Sequence, residues 1–161
     1  MFQAPLPKTC PDFWYMVVQE KSVSILMLCN FIEQNAKKCA EYIPLEEDKP
    51  AVFDGGVTVA LKKEEPFTFP FETRVRILVR SLEVSVPGEP VHNCMHYHWQ
   101  DWPDRGVPEA DLAPIVLLSR LKENTYVVHF FKFSLNFSYV STSHSVACRP
   151  PNELMNSKKH I

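Results

Sequence analysis

A chain of 161 residues, 45% hydrophobic and 22% charged, is sized and composed for one globular domain or a large part of one. Its formal net charge of -2 gives no electrostatic reason to expect nucleic acid or an anionic membrane as partner. No apolar run approaches bilayer length; Ile25 to Cys29, for one, is far too short to cross a membrane.

Taken from the start, Met1 to Pro5 lacks the basic and apolar regions of a secretory signal. Thr9-Cys10-Pro11-Asp12 reads as a helix start, with Thr9 as N-cap, Pro11 in the first turn and Asp12 at the reciprocal capping position. Phe13, Trp14, Val17 and Val18 form one apolar stripe, which predicts a helix to about Lys21. Val23 to Leu28 is a short apolar run, consistent with a buried strand. Residues 30–50 are polar and mixed, and read as loop with a turn of helix. Val57 to Lys63 is a strand candidate.

From Val75 a clear alternation begins, with Val75, Ile77 and Val79 sharing one face. The phase slips at Arg80-Ser81 before Leu82, Val84 and Val86 continue, which predicts a bulge or bend there. Pro87-Gly88-Glu89-Pro90 is a turn, and Val91 to Trp99 returns as the second arm of a hairpin. Asp111 is the expected N-cap of a following helix, with Pro114 in its first turn and Ile115, Val116, Leu118 and Leu121 on its apolar side. Tyr126 to His129 reads as a strand. Phe131, Phe133, Leu135, Phe137 and Tyr139 then alternate with polar residues, which predicts an extended segment or irregular coil over 130–140. Residues 141–161, rich in Ser, Asn, Pro and Lys, read as a disordered tail.

The chemically suggestive stretch is Trp99 to Pro108. It puts a carboxylate, Asp104, on a loop stiffened by Pro103 and Pro108, after the indole of Trp102 and before the flexible Gly106. That arrangement can present a general acid to a leaving group.

Several segments, in order, resemble the classical protein tyrosine phosphatase domain, with phrasing close to its nematode members. They are Gln3 to Pro7; Asp12-Phe13-Trp14 with Met16-Val17; Ile25 to Leu28 with Asn30 and Glu33; Lys38-Cys39 with Tyr42 and Pro44; and His96 to Trp99 leading into Trp102 to Pro108. The resemblance runs from about Gln3 to His129. It implies an α/β fold, a partial tyrosine-phosphatase-like domain whose twisted mixed sheet is flanked by helices. It also implies dephosphorylation of phosphotyrosine in proteins as the family function. The mechanism it implies needs a cysteine thiolate as nucleophile, an arginine six residues later to grip the phosphate, and a loop aspartic acid to protonate the leaving phenolate. Asp104 matches that acid, with Trp102, Pro103, Gly106 and Pro108 as the residues that position its loop. The family's first strands and its later glutamine-bearing loop have no counterpart, so a domain truncated at both ends is expected.

The required cysteine-to-arginine spacing is missing. Six residues after Cys10, Cys29, Cys39, Cys94 and Cys148 stand Met16, Asn35, Leu45, Gln100 and Leu154. In the family the nucleophile follows a Val-His pair at once, whereas here Val128-His129 is followed by Phe130. Nor does the stretch after His129 hold the glycines that aim backbone amides at a phosphate.

Two other constellations have plainer explanations. His92, Cys94, His96 and His98 alternate along one strand face, where zinc is conceivable, but adjacent side chains on one strand make a poor tetrahedron. They are read as the more open face, with Val91, Met95, Tyr97 and Trp99 buried and no metal bound. Cys148-Arg149 is an adjacent pair in a tail without glycine, read as a free thiol.

These readings combine into residues 1–129 as a partial phosphatase domain and residues 130–161 as a divergent tail. The chain is expected to be catalytically inactive as written, a shortened product or an incomplete gene model, and to need no cofactor. The alternative is a pseudophosphatase binding module. Expected partners are a phosphotyrosine protein by family, and a protein held at exposed sheet edges; nucleic acid and membrane are not expected. Five irregularly spaced cysteines imply reduced thiols and a cytoplasmic location.

Overall fold

The computed structural model describes residues 4–103, 111–123 and 128–131. The first helix, α1 (Cys10–Gln19), buries Cys10, Phe13, Trp14, Val17 and Val18, the stripe expected from spacing. Its start differs from the expected capping box. Pro7–Thr9 forms a 3-10 turn, and the Thr9 hydroxyl turns back to Leu6, accepting from its N–H at 2.9 Å and donating to its carbonyl at 3.2 Å. The hydroxyl therefore does not cap α1. The other end closes with Lys21 at a φ of 51°. Lys21 N–H donates to Val18 O and Ser22 N–H to Val17 O, the paired bonds of a Schellman stop.

Strand β1 (Ser24–Met27) follows and is buried throughout. Residues 30–50 contain a tight hairpin, not a turn of α-helix: β2 (Ile32–Glu33) and β3 (Ala36–Lys37) pair antiparallel. Gln34 and Asn35 between them both have positive φ, 50° and 60°. Two such residues match the right-handed twist of a two-residue hairpin. The edge strand β4 (Ala51–Phe53) returns through Asp54-Gly55-Gly56 into β5 (Val57–Pro66). Gly55 and Gly56 sit at φ 75° and 78°, and a Cβ on Gly56 would lie 3.1 Å from the Pro87 ring, so this corner requires glycine.

The hairpin of β6 (Ile77–Ser85) and β7 (His92–Trp99) turns at 87–90, as its sequence indicates. Helix α2 (Ala113–Glu123) leads to β8 (Val128–Phe131). The Asp111 carboxylate accepts from Ala113 N–H at 2.7 Å and from the Thr73 hydroxyl, but it stands one residue ahead of the N-cap position, which Leu112 takes by accepting the first helical bond from Val116 N–H at 3.0 Å. The two hydrogen bonds to Asp111, Thr73's first, hold its carboxyl below the usual range. Strand β8 carries Phe130 and Phe131 as continued strand; Tyr126, Val127 and residues 132–161 lie outside the described residues.

The six-stranded sheet runs β4-β5-β6-β7-β1-β8. Its first four strands are antiparallel neighbours, while β1 lies parallel to both β7 and β8. Among the described residues, one α-helix packs on each face. α1 packs with Ile25, Met27, Val57, Val59, Leu61, Leu82 and Val84. On the other face α2 packs with Leu26, Ile77, Val79, Tyr97 and Trp99.

This two-sided burial accounts for the phase slip in β6. No bulge interrupts it against β7, where pairing runs unbroken from Ile77↔Trp99 to Val84↔His92. Ile77 and Val79 face α2; Leu82 and Val84 face α1. The slip marks a change of covered face, and the expected irregularity lies in the partner strand, between Leu61 and Lys63 of β5. The extra residue there sets Glu64 opposite Arg80.

The apolar side of α2 also differs from expectation. Ala113, Leu117 and Leu121 are buried, at i, i+4 and i+8, while Ile115 and Leu118 are exposed. Residues four apart share one helix face, and this one packs with Leu26, Ile77 and Tyr97 of the sheet.

Candidate active-site region

The C-terminal ends of the parallel strands β7, β1 and β8 lie side by side, with Met27 in register with His98 on one side and Phe131 on the other. Open α/β sheets bind ligands at that edge, where the following loops converge. The loop after β7 carries the candidate acid. Of its residues, Trp102 and Pro103 are described and half-buried; Asp104, Gly106 and Pro108 lie outside the described residues.

The root of that loop is held from two sides. Trp99, fully buried at the end of β7, meets the Trp102 indole edge to face, 5.1 Å between centroids at 85°. Gln100 N–H donates to Arg76 O at 3.0 Å, and Arg76 N–H donates to the Asp101 carboxylate at 3.2 and 3.3 Å. From the loop after β1, Asn30 Nδ2 donates to Gln100 O at 2.8 Å, and Asn30 N–H donates to Glu33 Oε1 at 2.8 Å. His98 Nε2 bonds Cys29 O at 2.9 Å. A carbonyl only accepts, so this nitrogen carries the hydrogen. The loop after β1 is thus clasped twice, to the end of β7 and to the loop that follows it. Sequence reading placed Asn30 at the strand exit, but nothing in spacing signals Arg76, Asp101 or the grip of His98.

The sequence reading of β7 holds for Tyr97 and Trp99, which are buried as expected, but not for the histidine face, which is buried as well. Cys94, His96 and His98 are buried, while Val91 is exposed and Met95 only half-buried. Tyr42 and α1 cover that face, so its polar atoms need internal partners. Tyr42 Oη lies 2.7 Å from His96 Nε2 and 3.6 Å from Met27 Sδ, and the Trp14 indole donates to Tyr42 O at 2.9 Å. His92 Nε2 lies 2.7 Å from Ser22 O. Burial, then the positive Arg80, pushes His96 well down and His98 down to about 4, so both rings stay neutral near pH 7. Arg80 itself pairs with Glu64 Oε2 at 2.6 Å through Nε. No group of three or more His, Cys, Asp or Glu residues poised for a metal occurs among the described residues. Replacing Tyr42 by Phe should cost about 1–3 kcal/mol, the penalty for stranding a buried polar partner at His96. Urea melts of the two proteins check it, and an unchanged midpoint would show that His96 finds another partner.

The four described cysteines, Cys10, Cys29, Cys39 and Cys94, are free and buried. Burial raises Cys10, and lifts Cys29 to about 11 and Cys39 and Cys94 to about 12. A nucleophilic thiol needs the opposite shift. In β8, Phe130 pairs with Leu26 as ordinary strand, at the position where the resemblance would place the nucleophile.

The family model described as "Protein-tyrosine phosphatase" matches residues 1–144. This chain belongs to the protein tyrosine phosphatase family. Human tyrosine-protein phosphatase non-receptor type 2 is 32% identical over 122 residues, 76% of this chain and 28% of that protein. Tyrosine-protein phosphatase Lar-like from Caenorhabditis elegans is 33% identical over 121 residues, 74% of this chain and 5% of that protein. Among solved structures, PTPN18 in complex with HER2-pY1248 phosphopeptides superposes with a TM-score of 0.68 at 25% identity, covering 81% of this chain and 47% of that one. The chain therefore spans less than a third of these curated relatives and about half of the solved phosphatase. The phosphatase-like α/β fold expected from sequence stands, and no helix among the described residues is long and apolar enough to cross a membrane.

Proposed function

We propose that this chain is a tyrosine phosphatase domain that does not hydrolyse phosphotyrosine as written, although dephosphorylation of phosphotyrosine proteins is the function of its family. The observation that carries this reading is the absence of any cysteine followed six residues later by arginine, with Phe130 after Val128-His129. The high-pKa state of the described thiols supports it. Asp104 takes the general-acid position, with Trp102, Pro103, Gly106 and Pro108 shaping its loop. An acid without a thiolate has no leaving group to protonate. Residues 1–129 form the phosphatase-like part and residues 130–161 the divergent one, and the free thiols fit a cytoplasmic setting.

The purified chain should give aryl phosphate hydrolysis equal to a blank. Vanadate-sensitive turnover that labels one cysteine would overturn the reading. Sequencing the transcript tells whether a Cys-x5-Arg segment can follow His129 in another product, which would restore activity to that product.

A second reading, a non-catalytic module that binds a protein partner, has one observation in its favour. β4 is an edge of the sheet among the described residues, and Val52 on it is 72% exposed. Open edges accept an added strand. A phosphotyrosine protein is the partner class that family membership suggests.

A further inference from the structure

Beneath the root of the Trp102 loop, the α1 face of the sheet carries three polar side chains whose needs the described residues meet only in part. Arg80, His96 and His98 are 5%, 0% and 5% exposed. Arg80 Nη1, His96 Nδ1 and His98 Nδ1 are buried and have no hydrogen-bond partner among the described residues. These atoms belong to neighbouring side chains. Arg80 stands directly opposite His96 across β6 and β7, and side chains so paired lie about 5 Å apart at Cβ. His98 follows two residues on along the same face, and the two imidazole centroids are 6.2 Å apart.

We propose that one internal water molecule is bound here, as a fixed part of the fold, between Arg80 Nη1, His96 Nδ1 and His98 Nδ1. Hydrogen-bond chemistry selects the occupant. His98 gives its hydrogen to Cys29 O through Nε2, so its Nδ1 is an acceptor and requires a donor. Arg80 Nη1 can only donate and requires an acceptor. The bound species must therefore both donate and accept. A halide or sulfate dianion cannot donate to His98, and a metal cation cannot accept from Arg80. Charge agrees: Glu64 neutralises Arg80 through Nε, and both imidazoles are neutral near pH 7, so a neutral guest fits. Water meets His96 Nδ1 in either ring tautomer, because it donates or accepts as needed. Three partners is the usual number for a buried water. So placed, it joins the Glu64–Arg80 pair to the two histidines that hold Tyr42 and Cys29. It thereby ties β5, β6 and β7 to the loop after β1.

A crystal of the intact chain soaked in sodium bromide tests this. A single oxygen-sized peak within about 3.2 Å of Arg80 Nη1 and His98 Nδ1, with no anomalous signal, is the expected result. An anomalous bromide peak there would overturn the proposal, because the site would then be an anion site. Direct contact of Arg80 with an imidazole, leaving no density between them, would overturn it as well. In solution, long-range proton–nitrogen correlation on the same chain should show His98 as the Nε2–H tautomer at pH 7. An Nδ1–H tautomer would remove the acceptor on which the water depends, and with it the proposal.

Discussion

Trp14→Ala should lower the unfolding free energy by about 3–5 kcal/mol, the range for truncating a buried large aromatic. Trp14 is fully buried on α1. It touches Phe13 edge to face at 5.1 Å and Tyr42 at 6.0 Å, and its indole N–H donates to Tyr42 O. The substitution therefore opens a cavity and removes the hydrogen bond that fixes the Tyr42 segment over the histidine face. Domains of this size have only about 5–15 kcal/mol of stability, so a large part would be lost. Ile115→Ala is the matched control. Ile115 is 64% exposed on α2, and its truncation should stay within about 0.5 kcal/mol. Urea unfolding of the three proteins decides the matter. A cost below about 1 kcal/mol for Trp14, or equal costs at both positions, would contradict the assignment of α1 as the cover of the sheet.

Acidification should destabilise the fold over a defined window. His98 has an ordinary value of 6.5 and is pushed down to about 4 by burial and by Arg80. As pH falls below 6.5 the unfolded chain takes up a proton at this position, and the folded chain does not until about 4. Protons thus favour unfolding through that window, and stability falls with pH. At 1.36 kcal/mol per unit, the loss from His98 approaches about 3 kcal/mol by pH 4 and is absent above about 7. His96, shifted in the same direction, adds to it. Unfolding free energies measured from pH 8 to 4 should be level for these groups near the top and decline below 6.5. A flat profile, or one that rises toward pH 5, would show that the histidines charge freely and are not buried as described.

Local physical chemistry made much of this chain legible. The spacing of Phe13, Trp14, Val17 and Val18 specified α1 and its buried side, because a helix returns every third and fourth residue to one face. The short apolar run Val23 to Leu28 marked the buried strand found at Ser24–Met27, and Asp111 marked the approach to a helix. Ordered matches ending in Trp102-Pro103-Asp104 identified the family, since those residues are read directly from the chain. The missing cysteine-to-arginine spacing is equally a property of sequence alone.

What covers each face of the sheet was decided only in three dimensions. Alternation in a strand separates two sets of side chains but does not say which set meets a helix. That is why β6 looked bulged at Arg80-Ser81 when its burial simply passes from the α2 face to the α1 face. It is also why His96 and His98, polar by type, proved to be core residues. Their burial depends on Tyr42 and α1, distant in sequence, supplying both cover and hydrogen bonds. The clasp of Asn30 on Gln100 and of His98 on Cys29 joins residues about seventy positions apart. Only the parallel pairing of β1 with β7 brings them together, and that contact sets the root of the loop leading to Asp104.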